Sequence, residues 1–482
     1  MAIRVDGGVV VGWSGKSHEL IPDGTVLVDG DTIAYVGTDR SRKADQVIEA
    51  RGKLVCPGFV NLHVHSQLNV GDYLITDVTK KDYLGANYFI FGAPMKGKTS
   101  PPPPPVIAVG REYALFSALR NGATTILDPG GAPGDWDNYV EIVDRIGARV
   151  FFSPPFRSSD IFTDSNGGHY YEDRPDRGRQ GLKTAVDFIK KFHGACNGRL
   201  QGILNPAQAD TCEPSLLKET AEAARELAVG IHIHAGGNIR EFNRILYDYR
   251  KPVMEYLGDA GVLGPKTVLG HLVVVAGHSL VDYPEGKEIE MVAASGASVG
   301  HCAHKYAKMA MVLESFDRYI ESGVNVGLGT DTYPLDIISE MRYASLFSRL
   351  VDRKFSGARA ASVFNAATVW GAKALGREDL GRLTEGARAD MVIVNLRQSR
   401  YGPVRDPITA LVEYGSGADV ETVIVNGEVV IKDGRSSRID ETDLYNRAEE
   451  VANKAWENWA NRDWAGRRTE DIIPPAFPTR AG

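Results

Sequence analysis

The chain has 482 residues, 43% apolar and 24% charged, and a net charge of −7. That is enough chain for one large globular domain and a smaller one. The mildly acidic balance excludes a broad basic footprint for nucleic acid or anionic membrane, and no apolar run reaches the length of a membrane span. Met1-Ala2-Ile3-Arg4-Val5-Asp6 has no apolar signal core, and Cys56, Cys196, Cys212 and Cys302 show no CxxC spacing. The expectation is a cytoplasmic protein with reduced thiols.

In chain order, residues 1–57 read as short strands and tight turns. Thr25-Val26-Leu27-Val28, a turn at Asp29-Gly30-Asp31 and Ile33-Ala34-Tyr35-Val36-Gly37 make a hairpin pattern. Strand-like and helix-like segments then alternate. Gly122–Asp128, Ala148–Phe152 and Leu200–Leu204 read as buried strands, and Pro214–Leu227 carries an apolar stripe of Leu216, Leu217, Ala221, Ala224 and Leu227. Two long connections, 66–106 with its prolines 101–105 and 153–176, are expected to cover the barrel mouth. Near the far end, Ala389–Val394 is a strand, and Val423–Val430 is a hairpin turning at Asn426-Gly427. Neither end can bury a core alone, so the two are expected to pair. The predicted architecture is α/β: a (β/α)8 TIM-like barrel, residues 58–385, inserted in a small β-sandwich of residues 1–57 and 386–440. A helical tail, 441–482, carries Leu444, Val451, Trp456, Trp459 and Trp464.

The chemistry starts at His63-Val64-His65. Two histidines at i and i+2 on an extended strand share a face, which makes half of a divalent-metal site. Four later strand-like segments end in a His or Asp: Ile231–His234, Val268–His271, Ser298–His301 and Gly327–Asp331. Polar residues at the C-terminal ends of successive strands are where parallel barrels place their active sites. Imidazoles and a carboxylate gathered in this way suit a divalent cation such as Zn²⁺, whose bound water acidifies towards a pKa of about 7.

This pattern resembles the amidohydrolase superfamily, in the branch holding aminoheterocycle deaminases and triazine- and phenylurea-type hydrolases. The most specific pieces are Pro57-Gly58-Phe59-Val60-Asn61-Leu62-His63-Val64-His65, Gly329-Thr330-Asp331 and Gly386-Ala387-Arg388-Ala389-Asp390-Met391-Val392. The resemblance implies that His63, His65, His234 and Asp331 bind the metal. It also implies that Asp331 takes a proton from the hydrolytic water and that His271 polarises the substrate. His232 shares the face of His234 and is expected to be a core or supporting residue.

Two departures shape the functional expectation. The segment Gly202-Ile203-Leu204-Asn205-Pro206-Ala207 lacks the lysine that bridges two metals in this superfamily, so one metal ion is expected. In the deaminases a glutamate follows the fifth-strand histidine by three residues, and here that position is Gly237. The reading is a mononuclear hydrolase, most simply with zinc but also suited to Fe²⁺, Mn²⁺ or Co²⁺, that cleaves an amide, urea or carbamate C–N bond in a small molecule. The alternative is an aminoheterocycle deaminase in which Glu241 substitutes. A non-catalytic metal-binding barrel is the third reading. His301, His304, Lys305 and Tyr333 are candidates for substrate binding, and a homo-oligomer is expected.

Overall fold

The computed structural model describes residues 1–66, 95–98, 104–130, 134–166, 168–461, 465–472 and 475–478. Five strands from the N-terminal end open the chain: β1 (Ala2–Trp13), β2 (His18–Asp29), β3 (Thr32–Gly37), β4 (Gln46–Glu49) and β5 (Leu54–Pro57). The apolar runs then become short buried strands: β6 (Phe59–Asn61), β7 (Ala123–Leu127) and β8 (Arg149–Phe152). A hairpin of β9 (Ser159–Thr163) and β10 (His169–Asp173) interrupts the series. It resumes with β11 (Leu200–Leu204), β12 (Gly230–Ala235), β13 (Thr267–His271), β14 (Ser298–His301) and β15 (Asn325–Leu328).

The eight strands β6, β7, β8 and β11 to β15 pair in that order, every neighbour parallel. The ring closes where Leu62 N donates to Leu328 O at 2.8 Å and Val64 bridges Asp331. Inside, Val60, Leu62, Leu127, Phe151, Ile203 and Val268 pack against Ala372 and Leu380 and fill the floor of the barrel. A filled floor leaves the C-terminal ends of the strands as the place where polar side chains meet.

Four further strands, β16 (Met391–Val394), β17 (Val420–Val425), β18 (Glu428–Lys432) and β19 (Arg435–Ser436), return to the N-terminal sheet. Antiparallel pairing of β16 with β5 joins both chain ends into one nine-stranded, sandwich-like sheet. Ile3, Val5, Val26, Val28, Met391 and Ile424 form its core. The Asn426-Gly427 turn holds both residues at positive φ, +54° and +78°. A Cβ on Gly427 would collide with the Gly30 carbonyl oxygen of the other hairpin, so only glycine fits there.

The 153–176 connection, expected as a loop, is largely the β9–β10 hairpin. Its turn is closed by Asp164, whose Oδ1 accepts from Asn166 N and Gly168 N, both at 2.8 Å. Most of the 66–106 connection, including prolines 101–103, lies outside the described residues, as does Trp464.

One buried ion pair fastens barrel to sandwich. Arg149 on β8 reaches both carboxylate oxygens of Asp390, at 3.0 and 3.1 Å, and Asn426 N donates to the same carboxylate at 2.7 Å. Removing one partner strands the other charge, which costs about 3–5 kcal/mol in such settings. Asp390→Ala is therefore expected to lower unfolding stability by about that much in denaturant titrations, against less than about 1 kcal/mol for loss of an exposed pair.

Candidate metal centre

The two histidines after β6 reach the centre because strand alternation turns both to the barrel axis, with Val64 facing the core. His63 Nε2 lies 3.2 Å from His65 Nε2, and His65 Nε2 lies 2.9 Å from His234 Nε2. Asp331 follows β15 and brings Oδ2 to 3.9 Å from His63 Nε2 and 3.2 Å from His271 Nε2. Its backbone sits in the left-handed region at φ +61°, a strained conformation for aspartate. Two bonds hold it there: Asp331 N donates to His63 O at 2.8 Å and His65 N to Asp331 O at 2.9 Å. Five residues from four strand ends thus converge on one point.

The far side of each ring explains the geometry. His65 Nδ1 faces Gly130 O at 3.1 Å, and His234 Nδ1 faces Ala207 O at 2.5 Å. A carbonyl only accepts, so each Nδ1 carries the proton, and in the neutral ring Nε2 is a bare lone pair. His63 Nδ1 lies 2.9 Å from His232 Nε2. Gly270 opposite leaves room for that contact, because a Cβ there would come within 3.0 Å of both rings. His232 is thus the partner behind His63.

Burial drives His63, His232 and His271 well below the usual imidazole range and His234 down to about 3, and neighbouring imidazoles add to the effect. Burial alone would raise the Asp331 carboxyl, but the Lys305 ammonium, then His65 and His234, hold it below its ordinary value. Asp331 Oδ1 is buried with no hydrogen-bond partner. Neutral nitrogen lone pairs facing one another at about 3 Å, beside an unpartnered carboxylate oxygen, are a donor set for a divalent cation and suit little else. The residues present fit the metal.

Lys305, on the helix Ala303–Lys308, places Nζ 3.1 Å from Asp331 Oδ2. Glu340 steadies the start of that helix by accepting from His304 N at 3.0 Å. Cys302 is buried, and its Sγ shares a close grouping with His271 and Asp331. His301 ends β14, but no described metal-capable grouping includes it. His304 stacks on Tyr343 at 4.7 Å and Tyr333 lies 6.1 Å from Tyr113, so neither ring joins the convergent set.

Gly237 borders the site. A Cβ there would stand 3.2 Å from Tyr306 Oη, 3.5 Å from Glu241 Oε2 and 3.8 Å from His271 Cδ2. The Glu241 carboxyl is already engaged, accepting from Gly236 N and Gly237 N, each at 2.9 Å. Burial, then the charge of Asp210, pushes its pKa up. A separate cavity of about 530 Å³, between Leu20, Phe364 and Ile408, is lined by none of the metal-facing residues.

A parallel barrel with convergent imidazoles and a carboxylate at its C-terminal end defines a metal-dependent hydrolase. Residues 54–430 match the amidohydrolase family, and the chain belongs to it. It is 31% identical over 436 residues to a 5'-deoxyadenosine deaminase of Methanothermobacter thermautotrophicus, covering 89% of this chain and 94% of that one. It is 30% identical over 437 residues to a 5-methylthioadenosine/S-adenosylhomocysteine deaminase of Thermococcus onnurineus, covering 90% and 95%. Among solved structures, zinc-bound atrazine chlorohydrolase of Arthrobacter aurescens TC1 superposes with a TM-score of 0.78 at 23% identity, covering 93% of this chain and 100% of that one. A zinc-bound adenosine deaminase of Xanthomonas campestris gives 0.79 at 20%, covering 94% and 98%. The protein is a metal-dependent hydrolase of carbon–nitrogen bonds other than peptide bonds, and it takes a divalent metal.

The lowered imidazole pKa values set a pH dependence. Below about 6.5 the unfolded chain takes up protons that these rings refuse while folded. Each such ring then favours unfolding by about 2 kcal/mol at pH 5. The melting temperature of chelator-treated protein is expected to fall steadily from pH 7 to pH 5. A flat profile over that range would contradict neutral, buried rings.

Proposed function

We propose that His63, His65, His234 and Asp331 hold a single zinc ion, and that the enzyme hydrolyses an amide, urea or carbamate C–N bond in a small molecule. The three-nitrogen, one-oxygen donor set supports this, and Fe²⁺, Mn²⁺ and Co²⁺ suit it too. On β11 no lysine is present to bridge a second ion. A bound cation supplies an acidified water and polarises the substrate carbonyl.

Asp331, with Oδ1 unpartnered, accepts a proton from the attacking water and returns it to the leaving nitrogen. His271 Nδ1 is buried without a partner, which places the ring's proton on Nε2, 3.2 Å from Asp331. From there it can donate to the substrate oxygen as negative charge develops. Lys305 offers a second donor, a positively charged one, to the same oxygen or to a carboxylate. His301, at the end of the neighbouring strand, and His304 and Tyr333 are the further side chains read as contacting the substrate. The domain boundaries belong to the same reading: sandwich 1–57 and 386–440, barrel 58–385 and helical tail 441–482. It also includes a cytoplasmic setting, which suits the four free cysteines, and a homo-oligomer, for which Leu350 and Phe355, 73% and 97% exposed, supply an apolar surface.

The observation that carries the choice of substrate is Gly237. Position 237 itself carries no side chain to protonate a ring nitrogen, and Glu241, the nearest carboxyl to it among the described residues, is occupied by two backbone N–H groups. Cleavage of an acyclic C–N bond does not require ring protonation. Deamination of an adenosine-like nucleoside is the second reading. It is favoured by the two deaminases to which the chain is 30–31% identical and by the nearness of Glu241 to the Gly237 position.

A paired panel separates the two. Amine release from amides, ureas and carbamates is expected from the unaltered enzyme, with ammonia release from 5'-deoxyadenosine and aminotriazines appearing only in Gly237→Glu. Ammonia from the nucleosides alone, with the unaltered enzyme, would overturn the acyclic assignment.

A further inference from the structure

Asp128 is a buried carboxylate that the hydrolytic chemistry does not use. It stands directly after β7 and is fully enclosed. Its Oδ2 accepts from Ser66 Oγ at 2.6 Å and from Tyr139 Oη at 2.8 Å, and its Oδ1 accepts from Gly130 N at 2.9 Å. The Arg111 guanidinium supplies the nearest positive field, packed over the rings of Trp136 and Tyr139 at 5.1 and 5.3 Å. A buried anion with three donors and a cation nearby is a fixed point, because moving any donor strands charge in a medium of low polarity.

Two of the three donors lead to the same place. Ser66 is covalently next to His65. Gly130 presents the carbonyl that takes the proton of His65 Nδ1. Gly130 itself sits at φ +70°, with Pro155 packed where a Cβ would be, so its peptide cannot shift without cost. The carboxylate therefore grips His65 twice, once through the main chain beyond it and once through the carbonyl behind its ring.

We propose that Asp128 is a positioning residue for the metal centre: it fixes the tautomer and the direction of the His65 imidazole through Ser66 and Gly130. The inference rests on His65 being a metal ligand. Asp128→Asn keeps the shape but removes the charge on which the three donors converge, and its NH₂ group can only donate, so the Ser66 and Tyr139 hydroxyls must reverse or the Gly130 N–H loses its acceptor. Either outcome loosens the grip on Ser66 or on Gly130, and with it the hold on the His65 ring.

Partners that orient metal-bound histidines are typically worth about 10–100-fold in metal affinity. Zinc affinity of the full-length protein, measured by competition with a chromophoric chelator, is expected to fall by about that factor in Asp128→Asn. The comparison is Asp390→Asn, another buried carboxylate variant, at the sandwich junction. It is expected to lower the melting temperature while leaving zinc affinity unchanged. Should Asp128→Asn fail to fold, Tyr139→Phe removes one donor and is expected to weaken zinc several-fold. Zinc affinity equal to the unaltered protein in whichever Asp128-network variant folds would overturn the proposal. Equal losses in the Asp390→Asn comparison would do the same, by making the effect general instability. An unaltered protein that binds no zinc would instead overturn the ligand assignment beneath it.

Discussion

The centre depends on three hydrogen bonds made on the far sides of three imidazoles. Gly130 O, Ala207 O and the His232 ring each occupy a Nδ1 position, at 3.1, 2.5 and 2.9 Å. With the protons of His65 and His234 fixed outward by carbonyls, their inward nitrogens have only lone pairs to offer, and the His232 contact orients the third ring. The barrel brings these lone pairs together because its strands are parallel, in register and closed. His63 and His65 enter from the first strand, His234 from the fifth and Asp331 from the turn after the eighth. A slip of one residue in any strand would turn its convergent side chain into the core.

Among the described residues, charge in this pocket is sparse. The four convergent histidines, His63 and His65 after β6, His234 on β12 and His271 on β13, are enclosed among one another, and burial drives His63, His234 and His271 far from protonation. One carboxylate, Asp331, and one ammonium, Lys305, stand against each other at 3.1 Å. Glu241 lies just behind the wall with its oxygens committed to the main chain. An arrangement of this kind gains much from a divalent cation and from a substrate oxygen that Lys305 and His271 can reach. It offers little to a reaction that needs a free acid beside Gly237.

Much of this is legible in the amino-acid sequence. The His63–His65 pair and the later strand-end histidines stand out because strand alternation has period two and because apolar strands announce their ends. The hairpins at Gly30 and Asn426-Gly427 were readable from turn chemistry, and their contact followed from the need to share a core. Other features had no sequence signal. Ala207 and Gly130 contribute carbonyls, which every residue possesses. The role of His232 depends on Gly270 lying opposite in the neighbouring strand, a matter of register. The 153–176 segment read as a loop because its strands are five residues each, and a turn closed by Asp164 looks like coil. Asp128 did carry a signal, as the charge that ends an apolar strand, but its partners Ser66, Gly130 and Tyr139 are distributed across three segments. Lys305 was a candidate for the substrate, and its closeness to Asp331 came only from the helix that Glu340 steadies.

X-ray absorption at the zinc edge of the loaded protein tests the central claim most directly. The account predicts a first shell of nitrogen and oxygen at about 2.0–2.1 Å with imidazole scattering and no second metal. A sulfur contribution at about 2.3 Å, the distance of a zinc–thiolate bond, would bring Cys302 into the coordination shell and contradict the assignment.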